Sequence, residues 1–538
     1  MSEFDYVIVG AGSAGCTLAA RLSEDPAVTV LLLEAGGRDS NMWIHIPVGY
    51  VKTLDMPGLN WRFQTEPDPY TYDRPIPIPR GRVLGGSSSI NGMVYVRGQA
   101  RDYDGWAQLG NRGWSWDDVL PYFRKSENWE GAPADWRGSG GPLNTRDQYE
   151  KAEILDAVIA AAAERGWPAN PDYNSGNQEG FGYFQVTQKD GRRWSAKRAY
   201  LEPAMQRPNL KVEIEAHTTG ITFEGRRATG ITYLQGGQPR TAKARREVIL
   251  AAGAVQSPQL LELSGIGRPE VLQAQGIAVR HALNGVGENY QDHYIVRMVW
   301  RAKNTITLNE QTRGLSMVKE VAKYALTRRG ILTTTAGVVC GYVRTRPELE
   351  TPDVQYTIAH ASFKDPVKRI FDREPGLTIG PCQLRPDSRG SIHIKSPDPL
   401  SAPAIRPNFL AVESDRRSLI GGMKIAREIT AAPALARFIA SEVEPGNAAR
   451  SDDEILDYAR RKGVTVYHPV GTAKMGQDSM AVVDDRLRVH GIDGLRVVDA
   501  SIMPILISGN TNAPVMMIAE KAADMIKQDA KAGAARAA

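Results

Sequence analysis

The chain has 538 residues, 42% of them hydrophobic and 24% charged, which is typical of a soluble globular protein large enough for two domains. Its net charge of +5 comes from 66 basic and 61 acidic residues that are scattered rather than clustered, and this pattern argues against a nucleic-acid partner. The apolar runs are shorter than the roughly 18 residues of a transmembrane helix, and the first strand begins too early for a signal peptide, so we expect a cytoplasmic protein.

The first predicted unit, Asp5 to Glu34, is a strand, a turn, a helix and a second strand. Its turn carries a GxGxxG pattern, in which Gly10 permits the tight turn, Gly12 lets the backbone approach a pyrophosphate, and Gly15 lets the helix pack closely against the strand. Glu34 can accept hydrogen bonds from ribose hydroxyls and would repel a 2′-phosphate. The unit therefore predicts a dinucleotide site that disfavours NADP; the alternative is a glycine-rich turn without a ligand.

A second glycine-rich stretch spans residues 81–98 and reads GRVLGGSSSINGMVYVRG. It follows a proline- and aromatic-rich segment from Trp43 to Pro79 with little periodicity, and long irregular segments in compact proteins are often functional. Backbone N–H groups and hydroxyls of the stretch can surround an anion or a polar ring system. The alternative is a plain glycine-rich loop.

The middle of the chain contains a predicted helix from Ala152 to Arg165 and a predicted strand-to-helix turn from Glu247 to Pro258, EVILAAGAVQSP. We expect Ser257 to cap the second helix, with Pro258 at its first position. The small residues that end the strand would give a second approach to the same dinucleotide.

From about Tyr294 onward, alternating apolar and polar residues between turn signals predict an antiparallel sheet. Its predicted strands are Tyr294–Trp300, Val338–Arg344, Val354–Ala359, Leu377–Leu384 and Ser391–Lys395. Helices are predicted at Ser414–Glu428 and Ser451–Lys462, and Ser451 and Glu454 form a capping box at the start of the second.

The final segment again has the strand-to-helix pattern of the first unit. An apolar strand ends at Asp499, and the sequence SGNTNAP leads into a predicted helix from Val515 to Ile526. The residues from Gln528 to Ala538, rich in Ala and Lys, are predicted to fray. These elements indicate two domains, each discontinuous in sequence.

Four of these stretches, in order, resemble the signature regions of the glucose–methanol–choline (GMC) family of FAD-dependent oxidoreductases: GRVLGGSSSIN, GAVQSPQLLELSGIG, HPVGT and DAS…GNTNAP. The resemblance implies the GMC oxidoreductase fold, an α/β FAD-binding Rossmann-like domain plus an α+β substrate domain with an antiparallel sheet. We assign residues 1–155, 200–293 and 466–530 to the FAD-binding domain, residues 156–199 and 294–465 to the substrate-binding domain, and residues 531–538 to a disordered tail.

The same resemblance implies FAD as cofactor and a set of residues that hold it. Gly10, Gly12, Gly15 and Glu34 would bind the ADP half, with the backbone near Thr218 beside adenine. Ser87, Asn91, Gly92, Met93 and Val94 would line the flavin side, and Asp499 and Ala500 would anchor the pyrophosphate and ribityl region. Ser13, Ala14, Ala35, Arg82, Gly86 and Thr511 complete the expected site. Some relatives attach FAD through a histidine whose position here is Ile90, so we expect FAD to be non-covalent.

The resemblance also implies the catalytic residues. Oxidising an alcohol requires a hydride acceptor, here flavin N5, and a base for the hydroxyl proton. His468 matches the family's catalytic base, and Asn512 matches the second catalytic position, where it could stabilise alkoxide character at the substrate oxygen. The alternative for Asn512 is a helix N-cap, and the two roles can coexist.

We predict no catalytic or metal-binding role for the other candidate residues. We interpret His293, in YQDH, and His45, in IHIP, as structural. Cys16, Cys340 and Cys382 show no paired spacing, no metal-ligand cluster is apparent, and no GxSxG nucleophile motif follows a strand.

The predicted substrate is a neutral primary alcohol, aliphatic, polyether or aromatic, because no acidic residue can be assigned to a trimethylammonium group. A choline-type dehydrogenase or a peroxide-producing alcohol oxidase is the alternative; more remote ones are a lyase or photodecarboxylase on the same fold, or a flavoprotein kept for binding. The electron acceptor is expected to be a quinone, a dye or oxygen.

The segment from Val318 to Leu332 is either an entrance to an apolar pocket or a packed helix, and peripheral membrane contact stays open.

Overall fold

The computed structural model describes residues 2–365 and 370–537. Two large sheets organise this part of the chain. Their strands, in chain order, are β1 (Ser2–Val9), β2 (Val30–Leu33), β3 (Gly180–Tyr183), β4 (Leu210–Glu213), β5 (Ala216–Glu224), β6 (Arg227–Gln235), β7 (Gln238–Leu250), β8 (Tyr294–Ile295), β9 (Met298–Ala302), β10 (Val339–Val343), β11 (Val354–Ala359), β12 (Gly376–Gln383), β13 (Ile439–Glu444), β14 (Val464–Thr465) and β15 (Leu495–Val497).

The first sheet has a parallel core in the order β4–β2–β1–β7–β15, with the hairpin β5–β6 added along β7. Its register aligns Val9 with Leu33 on one side and with Leu250 on the other. The carboxyl ends of the parallel strands therefore share one edge, which is where ligands bind in open α/β sheets. The glycine turn after β1, Glu34 after β2 and the segment after β15 all begin at this edge.

The second sheet is antiparallel, in the order β13–β9–β12–β11–β10–β3, and β8 and β14 pair beside β12. Tyr294–Trp300, predicted as one strand, is divided into β8 and β9, but one pairing register with β12 runs through both. Because side chains alternate along a strand, Tyr294, Val296 and Met298 join the apolar core that also includes helices on one side of the sheet. Ile295 and Arg297 face the other way, into a large cavity.

The main helices, in chain order, are α1 (Ser13–Leu22), α2 (Ala100–Gln108), α3 (Trp116–Ser126), α4 (Glu153–Glu164), α5 (Gly253–Leu263), α6 (Gly314–Thr327), α7 (Glu413–Thr430), α8 (Asp452–Lys462) and α9 (Asn512–Ala537). Helices α4, α7 and α8 pack on the second sheet, while α1 and α9 belong to the core of the first. The predicted capping box of Ser451 and Glu454 is confirmed. Among the described residues, none of these helices is long and apolar enough to cross a bilayer.

Shorter elements complete the chain. Short helices lie at Met42–His45, Tyr50–Thr53, Glu202–Ala204, Pro269–Ala274, Leu308–Gln311 and Pro433–Ala436. Minor strands are Phe63–Gln64, Pro77–Ile78, Glu127–Trp129, Leu143–Asp147, Gln185–Val186, Gln188–Lys189, Arg192–Arg193, Ile266–Gly267, His281–Ala282, Phe363–Asp365, Ile370–Phe371, Ser391–His393 and Ala404–Arg406.

Three sequence predictions differ from the structure. Helix α5 begins at Gly253, so Ser257 is not its cap and Pro258 lies inside it. The start of α5 is capped by a distant carboxylate, a tertiary contact that local sequence does not show. The strand predicted at Ser391–Lys395 pairs with Ala404–Arg406 in a separate ribbon, outside the second sheet.

The third difference concerns the carboxyl terminus, where the sequence predicts fraying from Gln528 and a disordered tail at 531–538. Helix α9 continues through Ala537, and Ala538 lies outside the described residues. Alanine and lysine are strong helix formers, and Asp529 accepts hydrogen bonds from Arg496 and Arg486, which fastens the last part of the helix to the first domain. The distribution of strands between the sheets agrees with two discontinuous domains, whose bounds stay a prediction.

Candidate active site

One cavity of about 400 Å³ runs from the carboxyl edge of the first sheet to the inner face of the second. Its wall contains most of the residues that the sequence assigns to a cofactor: Gly10, Gly12, Ser13, Ala14, Glu34, Ala35, Gly86, Ser87, Asn91, Gly92, Met93, Val94, Thr218, Asp499, Ala500 and Thr511. Of the predicted set, Gly15 and Arg82 are not in the wall. Gly15 packs beneath it, and the Arg82 guanidinium stacks 4.8 Å from the ring of Trp61, which does line the cavity.

The three glycines of the first turn have different surroundings in the structure. Gly10 has φ +97°, and a Cβ on it would lie 2.6 Å from the carbonyl oxygen of Ala251. A Cβ on Gly15 would lie 1.8 Å from the carbonyl oxygen of Gly10, so that position needs the bare backbone for packing. Gly12 meets nothing within 4 Å and opens to the cavity at the start of α1. The positive end of this helix is therefore free to bind an anion such as a pyrophosphate.

Glu34 holds the turn together as well as lining the cavity. One carboxylate oxygen accepts a hydrogen bond from the backbone N–H of Ala11 at 3.0 Å, and the other accepts one from Gly36 at 2.8 Å. Burial raises the pKa of Glu34 to about 7 despite these two donors. The position fits a ribose partner, because each oxygen keeps a further lone pair.

The far end of the cavity contains Thr218, the position that the sequence predicts to lie beside adenine. Thr218 and His217 line it together with Trp61, whose ring packs edge-on against the His217 ring at 5.6 Å between centroids. The Thr218 hydroxyl is buried without a hydrogen-bond partner. A buried polar atom at a cavity wall fits a ligand that supplies the missing partner.

The second glycine-rich loop lies directly against the first. A Cβ on Gly86 would be 2.7 Å from the Cα of Gly12, so the two backbones are in contact. Asn91 accepts a hydrogen bond from the buried guanidinium of Arg193 at 2.7 Å and one from the backbone N–H of Met93 at 3.0 Å. Met93 has φ +60°, a left-handed conformation that is rare outside glycine and often marks functional sites.

Asp499 is the carboxylate that caps α5. Its Oδ2 accepts from the Gly253 N–H at 2.9 Å and the Ser257 hydroxyl at 2.5 Å, and its Oδ1 accepts from the Ser501 N–H and hydroxyl at 2.8 and 2.6 Å. The side chain is thus occupied by the protein. Its part in a cofactor site is to fix the segment that brings Ala500 and Thr511 to the cavity.

His468 lies in the cavity wall between two tightly held neighbours. Its backbone N–H donates to Asp292 at 2.8 Å, and Asp292 also accepts from the hydroxyls of Thr465 and Tyr290 at 2.5 and 2.9 Å. Tyr467, just before it, has φ +71°, and its carbonyl accepts from Arg80 at 2.5 Å. The imidazole is therefore placed by a strained backbone that buried polar groups hold in position.

A chain of hydrogen bonds fixes the protonation of the two nitrogens of His468. The Leu384 carbonyl can only accept, so His293 Nε2, 2.8 Å away, must carry a proton. The Nδ1 of neutral His293 is then an acceptor, and it lies 3.0 Å from Nδ1 of His468. His468 therefore carries its proton on Nδ1, and its Nε2 is an unprotonated acceptor, which the Asn510 amide contacts at 3.1 Å.

Burial keeps both rings neutral. It lowers the pKa of His293 to about 4, and it lowers the pKa of His468 well below 6.5, with further effects of His293 and Arg80. Above mildly acidic pH, His468 is thus ready to accept a proton at Nε2. His293, interpreted from sequence as structural, contacts Nδ1 of His468 and so orients the predicted base. The motif YQDH gave no local sign of this, since the contact joins residues far apart in sequence.

The structure places a different asparagine beside His468 from the one that the sequence predicts. The side chain of Asn510, not that of Asn512, reaches His468: its amide lies 3.1 Å from Nε2, and its Oδ1 accepts from Gln355 at 3.2 Å. Asn512 begins α9 and accepts a hydrogen bond from the Ser13 hydroxyl at 2.7 Å. Both asparagines line the cavity, but helix α9 turns the second one toward the glycine turn. Sequence could not separate two asparagines only two positions apart.

The inner face of the second sheet forms the rest of the wall. Thr357, Ala359, Thr378, Ile295 and Arg297 line it. The register places Arg297 across from Gly380 and Thr357, two residues along from the row that contains Gln355. This spacing corresponds to roughly 7 Å along the strands.

Arg297 is the cation of this face, and sequence analysis missed it. Its guanidinium has no hydrogen-bond or ion-pair partner among the described residues. The acidic residues of the described wall are Glu34, at the ribose end, and Asp499, which the protein occupies.

The remaining predictions concern absences. Cys16, Cys340 and Cys382 are free and buried, and the described residues contain no group of metal-ligating side chains. His45 is outside the cavity wall.

Comparison with known proteins gives a consistent result. Two GMC oxidoreductase family profiles match residues 4–295 and 386–519. The alcohol dehydrogenase [acceptor] of Pseudomonas putida is 43% identical over 97% of this chain and 95% of its own length. Oxygen-dependent choline dehydrogenase 1 of Chromohalobacter salexigens is 42% identical over 98% of this chain and 95% of its own.

Solved structures resemble the whole chain as well. Pyridoxine 4-oxidase from Mesorbium loti has a TM-score of 0.88 at 31% identity, covering 97% of this chain and 98% of its own. Formate oxidase of Aspergillus oryzae has a TM-score of 0.91 at 28% identity, covering 98% and 99%.

Proposed function

The chain belongs to the GMC oxidoreductase family of FAD-dependent enzymes that oxidise alcohols, and from this premise we propose that it converts a neutral primary alcohol to the aldehyde with His468 as general base. The observation that carries the proposal is the unprotonated Nε2 of His468 in the cavity wall, set by the chain of hydrogen bonds from Leu384 through His293.

FAD, when bound, supplies the acceptor for the hydride that leaves the alcohol carbon. The cavity fits it: Gly12 and the start of α1 would hold the pyrophosphate, Glu34 the ribose, and Thr218 the adenine end. Asn91, Met93 and their neighbours would lie along the flavin. Ile90, buried at the position where some relatives carry an attachment histidine, supports non-covalent binding.

The chain's own residues would handle the proton and the oxygen. The Asn510 amide contacts His468 Nε2 at 3.1 Å, and a substrate hydroxyl that takes its place donates its proton to Nε2. The displaced amide would then donate to the substrate oxygen. Hydrogen bonding to the oxygen as it gains negative charge lowers the barrier to C–H cleavage. Gln355 keeps the Asn510 amide turned toward the base by donating to its Oδ1.

The wall also supports a substrate without positive charge. A trimethylammonium group binds best to aromatic rings and a nearby carboxylate, and the described wall near His468 offers no free carboxylate. Arg297 would instead repel a cation at short range. We therefore propose aliphatic, polyether or aromatic alcohols over choline, although a choline dehydrogenase is among the similar proteins.

Anaerobic stopped-flow spectroscopy tests the substrate class. Primary alcohols should bleach the bound flavin at rates that rise with chain length or with a benzylic carbon, and choline should do so at least about tenfold more slowly. Choline reduction at a comparable rate would contradict the proposed class while leaving the reaction type intact.

The acceptor is proposed to be a quinone or a dye, because the similar Pseudomonas putida protein is named for an acceptor. Peroxide measured in air under saturating alcohol decides this point. Peroxide formed as fast as the flavin is reduced would establish an oxidase instead.

A lyase or photodecarboxylase on the same fold predicts that alcohols leave the flavin oxidised while another substrate turns over. A flavoprotein kept for binding predicts that His468→Ala changes no rate. We further propose a cytoplasmic location with peripheral membrane contact.

A further inference from the structure

Helix α6, Gly314–Thr327, exposes apolar residues to solvent, whereas a packed surface helix buries them against the protein. Leu315 and Leu326 are 87% and 86% exposed, and Val318 is 65% exposed. With Ala322, they follow the spacing i, i+3, i+7, i+11, which puts them on one side of a helix. We call Leu315, Val318, Ala322 and Leu326 the α6 stripe; it is roughly 16 Å long at 1.5 Å per residue.

The opposite side of the helix is fixed to the protein, so the exposure is not that of a detached segment. Tyr324 is buried, and its hydroxyl donates to the Gly191 carbonyl at 3.1 Å. Glu320 accepts from the Ile331 N–H at 3.1 Å, which turns this acid inward. A helix held by its polar side presents the α6 stripe to whatever lies outside.

The charges around the α6 stripe select the partner. From Arg313 to Arg329 the sequence has five cations and one acid, and that acid is the inward-turned Glu320. Lys323 pairs with Glu150 at 3.7 Å, so the other four cations carry the excess charge. A second copy placed there by twofold symmetry would bring the same cations face to face. Anionic lipid headgroups would neutralise them, while the leucines enter the boundary between headgroups and acyl chains.

The opposite side of helix α6, which carries Tyr324, adjoins the cavity wall. Tyr324 packs in one apolar cluster with Leu308, Ala361 and Phe371, and these three line the cavity wall. We propose that the α6 stripe and its flanking cations dock the protein on the surface of an anionic bilayer, with the cavity mouth beside the lipid. This goes beyond alcohol oxidation and does not require it.

Vesicle co-sedimentation of the FAD-loaded protein tests the proposal. The protein should bind vesicles that contain phosphatidylglycerol, bind pure phosphatidylcholine vesicles about tenfold less, and lose affinity as salt rises. Leu315→Ser/Leu326→Ser should abolish binding, and Lys319→Glu should weaken it. Leu109→Ser/Leu400→Ser is the matched control, because these leucines are 52% and 63% exposed on other surfaces.

Each other outcome overturns the proposal. Absence of wild-type binding to anionic vesicles would do so, as would equal binding by the α6 and control variants. If the wild type is a dimer that Leu315→Ser/Leu326→Ser converts to a monomer, the α6 stripe is a contact between copies. Flavin reduction by a short alcohol in the same variants should stay at the wild-type rate, so a failed alcohol assay cannot be mistaken for failed docking.

Discussion

The Nδ1 atoms of His468 and His293 lie 3.0 Å apart, and this contact decides which nitrogen of His468 carries the proton. Because the Leu384 carbonyl fixes the proton of His293, the contact cannot be reversed while both rings are neutral. The base is therefore oriented by a partner that belongs to the start of the second sheet.

The substitution His293→Leu should remove the hydrogen bond that keeps the proton of His468 on Nδ1. We expect flavin reduction by alcohol to slow by roughly 10- to 100-fold, since His468 can then protonate on either nitrogen. Burial is the main cause of the low pKa of His468 and His293 adds to it, so the acidic limb of the rate profile should move to higher pH. The comparison is stopped-flow reduction from pH 5 upward.

The matched control is His360→Leu. His360 is also buried, and its pKa is lowered to about 4, but it is outside the cavity wall. A loss of rate that is the same in both variants and at every pH would mean that His293 only supports the fold.

Alanine substitutions of Asn510 and Asn512 should affect different steps, flavin reduction for the first and FAD binding for the second. Asn510→Ala removes a donor to the substrate oxygen and should slow flavin reduction by about 10²- to 10³-fold. Asn512→Ala breaks one hydrogen bond to Ser13 and should mainly weaken FAD binding, by about fivefold, or about 1 kcal/mol. Reduction rates at saturating FAD, together with FAD titration, separate the two effects. A larger rate loss in Asn512→Ala than in Asn510→Ala would restore the assignment that the sequence suggested.

Arg297→Glu should change the preference for charge. Replacing this unpaired cation by a carboxylate at the same position should raise kcat/KM for choline at least about tenfold, or about 1.4 kcal/mol. The kcat/KM for a neutral alcohol should fall by a smaller factor. Arg297→Gln, which removes charge without adding any, should give an intermediate result. Choline kinetics unaffected by both variants would show that Arg297 does not face the substrate.

His393 should make stability depend on pH. It donates to Glu262 at 2.6 Å and Glu288 at 3.1 Å; burial opposes its charge, but the two carboxylates raise its pKa to about 9. A raised pKa means that the stabilisation is full below about pH 6.5 and is lost as pH rises through 9.

The size of this effect follows from the pKa shift. We expect His393→Leu to cost about 2–3 kcal/mol at pH 6 and clearly less at pH 9.5. Thermal unfolding of the FAD-loaded variant and wild type at both pH values measures it. A cost that does not change with pH would show that the histidine is neutral in the folded protein.

The sequence predicted the parts whose signals are local. The turn after the first strand and the position of Glu34 at the edge of the first sheet agree with the structure, because turn geometry and apolar periodicity depend on neighbouring residues. Their part in binding a cofactor stays a prediction. His293, Gln355 and Arg297 were missed or misread, because their roles depend on strand register and on contacts between distant segments. The exchange of Asn510 and Asn512 depended on the residue at which α9 begins, and helix ends are the least certain feature of a sequence pattern.

The most direct test of the central claim is anaerobic flavin reduction by a primary alcohol in wild type and His468→Ala, followed against pH. We predict rapid bleaching in the wild type, with a rate that stays level from neutral pH down to below 6.5, because burial lowers the pKa of His468. The variant should be slower by about 10²- to 10⁴-fold at every pH. Equal reduction rates in the two proteins, or no reduction of the wild-type flavin by any alcohol, would contradict the account.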